Sequence, residues 1–180
     1  IAASPDGITE DGTMLEIKCP FKRTITGIPP IYYWIQMQQQ LEVCNLNKCD
    51  FLECKITEYD TWDLFINDQD YIEKSCIIEY NNNNKLDYKY PDIFLKNKDE
   101  IMEWLQKQKK IIEKEPMNEY IRIIFWKLEF YSCMPIYRNK NWWDKNFIKI
   151  DSFWTDILEK RKTYIPIIKA IKKKQNKKKV

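Results

Sequence analysis

The 180-residue chain contains no histidine. That removes imidazole as a general base and as the ligand pair that completes a common zinc finger. Its six cysteines, Cys19, Cys44, Cys49, Cys54, Cys76 and Cys133, include no Cys-x-x-Cys pair. The even spacing of Cys44, Cys49 and Cys54 fits no common zinc arrangement, so reduced, mostly buried thiols are expected. No apolar run approaches the ~20 residues a bilayer span needs, so the chain reads as soluble, without a membrane partner. An initiator Met and a signal-peptide pattern are also lacking, and an apolar run begins at Ile1, so the chain reads as a piece of a longer polypeptide. There are no internal repeats. From Lys160 to Val180 there are ten basic residues and no acidic one, which leaves residues 1–159 with a balance of −7. An acidic body, residues 1–162, thus precedes a basic tail, residues 163–180. The tail's charge attracts nucleic acid or a nuclear import receptor without sequence specificity, and a merely solvated end is the plainer reading.

What the chain does have is 44% hydrophobic and 14% aromatic content, enough for the core of one domain. Two short strands are expected over residues 1–9 and 13–19, joined by Glu10-Asp11-Gly12, whose Asp-Gly pair is a strong hairpin signal. Pro20 ends the second. After a loop marked by Gly27, Pro29 and Pro30, the segment IYYWIQMQQQLEVCN places Trp34, Met37, Leu41 and Cys44 on one helical stripe. Two further strands are expected in CDFLECKITEYDTWDLFI, with a turn near Glu58 to Asp60. Asn81 to Asn84 reads as a polar loop, and a second helix is expected over about residues 98–113. A strand at IIFWKLEFYSC and a last helix over about residues 151–162 complete the reading. The fold class is α/β, with a central mixed sheet flanked by helices.

The segment LEIKCPF, residues 15–21, sets a carboxylate and an ammonium two residues apart. In a strand Glu16 and Lys18 share one face, while Leu15, Ile17 and Cys19 share the other. Across the hairpin, Asp6 follows the stiff Pro5 and precedes Gly7. Two carboxylates and a lysine thus converge. Their oxygens, with the Ile17 carbonyl, suit Mg²⁺ or Mn²⁺. Each part alone has a plainer explanation: Glu and Lys at i and i+2 usually form a solvated strand face, and Asp before Gly is usually a turn residue.

The combination of PD and, ten residues later, ExK resembles the signature of the PD-(D/E)xK nuclease superfamily. The fuller string SPDG…LEIKCPF is similar to the phage lambda exonuclease or YqaJ-type viral recombinase family. YYWIQMQ resembles that family's Tyr-x-x-Gln-x-Gln segment, with Tyr33, Gln36 and Gln40 on one stripe. The segment WKLEFYSC, Trp142-Trp143 and FWTDILEKRK more loosely resemble the large-DNA-virus branch. This resemblance implies a metal-dependent deoxyribonuclease that removes nucleotides from the 5′ end of double-stranded DNA in viral recombination or repair. Asp6, Glu16, Lys18 and Gln36 would be catalytic. Asp6, Glu16 and the Ile17 carbonyl would hold Mg²⁺ or Mn²⁺, and Lys18 would orient or deprotonate the attacking water while Gln36 bonds Lys18 or that water. Ser4, Lys22 and Arg23 are candidates for DNA phosphate contact, and ordinary loop charges explain the two cations equally well. Implied partners are duplex DNA, a single-strand annealing protein and further copies of the chain, and the implied setting is a host cytoplasm or nucleus. The resemblance also implies helices upstream of the PD strand. An inactive nuclease fold that binds DNA as a recombination partner, or a structural protein with a fortuitous acidic hairpin, are the alternatives.

Overall fold

The computed structural model describes the backbone of residues 1–177 and the side chains of residues 1–162. Ten elements follow in order: β1 (Gly7–Ile8), β2 (Met14–Lys18), α1 (Ile31–Cys44), β3 (Lys48–Glu58), α2 (Trp62–Asn67), β4 (Glu73–Asn82), β5 (Lys85–Lys89), α3 (Lys98–Ile112), β6 (Asn118–Tyr137) and α4 (Lys140–Lys177). The strands form one mixed sheet in the order β1-β2-β3-β6-β4-β5. Only β2 and β3 run parallel, and α1 is the crossover between them that a parallel pair requires. The chain is thus mixed α/β, as its pattern of elements predicts.

The first hairpin turns at Thr9–Thr13. Gly12 adopts φ 81°, a left-handed conformation that a Cβ would strain, and the Thr9 N–H donates to the Thr13 carbonyl at 2.9 Å. The paired part is shorter than expected: Gly7 and Ile8 alone pair with β2. α1 begins directly after Pro30 and ends at Asn45, which takes the left-handed cap conformation at φ 54°. Its apolar stripe packs Met37 and Leu41 against Met14, Cys49, Phe51 and Ile136, so one core cluster ties α1 to β2, β3 and β6. A second cluster joins Phe65 of α2 and Ile101 of α3 to Cys76 and Phe125 of the sheet.

Several expectations change. The stretch TWDLFI is helical where a strand is expected, because the Thr61 hydroxyl accepts the Leu64 N–H at 3.2 Å and caps α2. Asn83 and Asn84 form a tight turn between β4 and β5, with φ 53° and 64°, instead of a loose polar loop. β6 spans 20 residues, far beyond the expected strand, by slipping register at Ile121 and Glu129 so that it can pair with both β3 and β4. α4 starts eleven residues earlier than expected, at Lys140. Asn139 caps it, accepting the Trp142 N–H at 2.9 Å. The backbone of α4 continues into the segment expected as a basic tail, whose side chains, residues 163–180, lie outside the described ones. The thiols are not mostly buried: Cys49 and Cys76 are, Cys19 and Cys133 are exposed, and Cys44 and Cys54 lie between.

α2 is tied to the sheet by an ion pair. Asp68, its C-terminal cap, accepts the Lys127 ammonium at 2.7 Å, the Asp70 N–H at 2.7 Å and the Tyr59 hydroxyl at 2.8 Å. These donors, Lys127 first, hold the Asp68 carboxyl well below its ordinary value of 3.8. A depressed native pKa gives stability that is present above the unfolded value and lost as pH falls through the folded one. We expect Asp68→Asn to lower the unfolding midpoint at pH 7 and to flatten the loss of stability below about pH 4. Urea titrations at pH 7, 4 and 2 measure both, and equal acid sensitivity of the two proteins would exclude this pair as a source of it.

Candidate functional site

Glu16 is the centre of the site because three side chains point their donors at it. It is 1% exposed, in the middle of β2. Its Oε1 accepts the Lys18 ammonium and the Gln36 amide, the latter at 2.7 Å; its Oε2 accepts the Gln40 amide at 2.8 Å. A carboxylate offers about four lone-pair sites, so three donors nearly saturate it. Burial of this charge is tolerated because it is paired and hydrogen-bonded.

The run QMQQQ in α1 divides its glutamines by helical position. Gln36 and Gln40, four residues apart, share the stripe that faces β2. Gln40 Nε2 also donates to the Ser4 carbonyl at 3.3 Å, and two acceptors on one nitrogen fix the orientation of its amide. Its Oε1 is buried without a partner. Gln38, 1% exposed, turns to another corner: it donates to the Tyr137 carbonyl at 3.0 Å and accepts the Asn139 N–H at 2.6 Å. That pins the β6–α4 junction to α1.

Asp6 lies in the bend before β1, exposed to solvent, and its Oδ2 accepts the Ile17 N–H at 2.7 Å. β1 does not reach Ile17, so this carboxylate takes the place of a ladder partner at the free end of β2. In a strand the N–H and C=O of one residue point to the same side. The Ile17 carbonyl is therefore directed to the edge where Asp6 sits. Direct bonds join Glu16, Lys18 and Gln36, Asp6 meets this group through the Ile17 N–H, and the Gln36 amide donates to Glu16 where a bond with Lys18 or a water is expected.

The candidates for phosphate contact fare differently. Ser4 and Lys22 are exposed on the loops that flank the hairpin. Arg23 is committed on one side to Glu53, which accepts its Nη2, while Nη1 donates to the Thr24 carbonyl at 3.3 Å. The hydrogen bond to the Glu53 carboxylate holds the guanidinium above its ordinary value. Lys18 Nζ and Arg23 Cζ lie 5.0 Å and 5.9 Å from the centre of the Tyr33 ring, so two cations lie against one aromatic ring. Beneath them, burial and the Glu16 charge push the Cys49 thiol up to about 12, which keeps it a neutral core residue.

Glu53 and Gln40 are the residues that sequence reasoning did not assign to the site. Gln40 carries a readable signal, its spacing of four from Gln36. Glu53 becomes a neighbour only through the parallel register Lys18↔Glu53, which no local pattern encodes.

The donor chemistry fits a hard divalent cation. Among the described residues no three Asp, Glu, His or Cys side chains gather into a cage. Mg²⁺ commonly takes one or two carboxylates and completes its shell with water and substrate phosphate, and Asp6, Glu16 and the Ile17 carbonyl supply such a partial set. The site lies on an open strand edge, apart from the 690 Å³ cavity that Ile1 and Ala2 form with Phe147, Phe153 and Trp154.

No protein family profile matches the chain. A protein of Acanthamoeba polyphaga mimivirus named Uncharacterized protein R354 is 32% identical over 215 residues, a match covering 96% of this chain. The chain spans 39% of that relative's length. No helix among the described residues is long and apolar enough to cross a membrane.

Proposed function

We propose that the chain carries the metal-binding half of a PD-(D/E)xK nuclease of the lambda exonuclease or YqaJ type, hydrolysing phosphodiesters from the 5′ ends of duplex DNA. One observation carries this reading: Lys18, Gln36 and Gln40 converge on the buried Glu16 carboxylate while Asp6 docks on the adjoining Ile17 amide. A solvated strand pair has no need of two glutamines from a separate helix. Asp6, Glu16 and the Ile17 carbonyl would hold Mg²⁺ or Mn²⁺. When bound, the ion polarises the scissile phosphate, lowers the pKa of a coordinated water and stabilises the leaving 3′ oxygen. Lys18 orients that water or takes its proton as the water oxygen bonds to phosphorus and the bond to the 3′ oxygen breaks. Gln36 and Gln40 hold Glu16 in one rotamer, which fixes where a ligand oxygen can sit. Ser4 and Lys22 flank the path of the DNA backbone, and Arg23, anchored on Glu53, offers its remaining N–H donors to a phosphate.

The product of such resection is a 3′ single strand, the substrate of an annealing protein in recombination or repair, and the mimivirus relative is compatible with a viral setting. The test uses full-length protein and linear duplex DNA labelled at either end. Mg²⁺-dependent release of label from the 5′ end, stopped by EDTA and by Asp6→Ala, is the expected result. No metal-dependent release by the full-length protein would sink the reading.

A further inference from the structure

Glu53 sits in the middle of β3 at 1% exposure, and half of its carboxylate has no partner. Oε1 takes Arg23, whereas Oε2 is buried without a hydrogen bond. A buried carboxylate oxygen without a donor is costly, so its acceptor capacity calls for a use. The side chain opposite it in the parallel pair is Lys18, with strands about 4.8 Å apart. Both side chains point to the face covered by α1, since they alternate with Ile17 and Leu52 on the other face.

We propose that Glu53 is a positioning residue that receives the Lys18 ammonium when a divalent cation takes Glu16 Oε1; this rests on the nuclease reading above. Lys18 already occupies Glu16 Oε1, so an ion seated on that oxygen would compete with it. Like charges cannot share it at close range, so the ammonium must move as the ion enters. Its flexible stem and three donors allow the swing. Tyr33 stays beneath it, because the ring already faces both Lys18 and Arg23. Arg23, bound to Oε1, fixes the Glu53 carboxylate so that Oε2 remains for Lys18. In the new position Lys18 no longer neutralises a metal-ligating carboxylate and is available to a water beside it.

The test measures binding of Mn²⁺ alone to the full chain, without DNA, by electron paramagnetic resonance. Glu53→Gln should weaken binding by about tenfold, the scale of substitutions beyond the ligands themselves. In the Lys18→Met background, where no ammonium competes, the same change should have almost no effect. Equal weakening in both backgrounds would show that Glu53 acts on the ion directly and overturn the proposal, as would no weakening in the native background. Glu16→Gln separates the two readings. If it leaves Mn²⁺ affinity intact, the nuclease reading falls and takes the proposal with it; if it abolishes binding while Glu53→Gln acts equally in both backgrounds, only the proposal falls. Thermal melts verify that each variant is folded. The unmutated chain supplies an independent measure: the ¹⁵N signal of the Lys18 ammonium should shift on adding Mg²⁺, and an unmoved signal overturns the proposal.

Discussion

Lys18→Ala should reduce Mg²⁺-dependent DNA cleavage by ~10²–10⁴-fold, the usual cost of losing a positioned proton-transfer group. Mn²⁺ binding should be retained or tightened, because the proposed ligands are Asp6, Glu16 and the Ile17 carbonyl and the competing ammonium is gone. The fold should survive, since Glu16 keeps the Gln36 and Gln40 amides as partners. Asp6→Ala, in contrast, should abolish both cleavage and binding. The contrast matters because an exposed Glu–Lys strand pair is worth only about 0.2–1 kcal/mol and has no bearing on chemistry. Glu16 at 1% and Lys18 at 22% side-chain exposure are not such a pair. Near wild-type cleavage by Lys18→Ala would remove Lys18 from the mechanism.

Phe51→Ala should cost ~3–5 kcal/mol of stability in urea or guanidinium unfolding. Phe51 is 1% exposed, is the register neighbour of Glu16 on β3, and packs its ring 5.8 Å from that of Tyr33. Removing it opens a cavity directly under the helix that delivers Gln36 and Gln40. The loss should therefore extend to the site: weaker Mn²⁺ binding at temperatures where the variant is still mostly folded. A cost below about 1 kcal/mol would mean that this core does not hold α1 against the sheet.

The parts of the fold that were legible in the sequence are those with local rules. Asp11-Gly12 marked the turn, Pro20 ended β2, and the stripe of Met37 and Leu41 placed α1 to within a residue. α2 was misread because WDLFI is a short apolar run that suits a strand or a helix alike, and only the bond from Leu64 N–H to the Thr61 hydroxyl decides between them. β6 exceeded its expected length because a strand with partners on both sides is extended by them, through the bulges at Ile121 and Glu129. In the site, Asp6, Glu16, Lys18 and Gln36 were legible because they lie in one motif and one helix stripe. Glu53 was not: DFLECK reads as an alternating strand, and its carboxylate matters only because the parallel crossover brings β3 alongside β2 in a given register.

The position of β6 bears on the order of assembly during synthesis. It is the last strand among the described residues and yet lies in the centre of the sheet, between β3 and β4. Until residues 118–137 have left the ribosome, the N-terminal β1-β2-β3 unit and the β4-β5 hairpin are separate pieces, each with an open edge that can pair with another nascent chain. Insertion of β6 closes both edges at once, through contacts 36 (Asn82↔Asn118) to 89 (Lys48↔Tyr137) residues apart in sequence, which is a slow class of folding event. It also brings the Tyr137 carbonyl and the Asn139 N–H to Gln38, so the helix that carries Gln36 and Gln40 gains its last anchor only then. A growing chain therefore displays Asp6, Glu16 and Lys18 well before it can hold them rigidly.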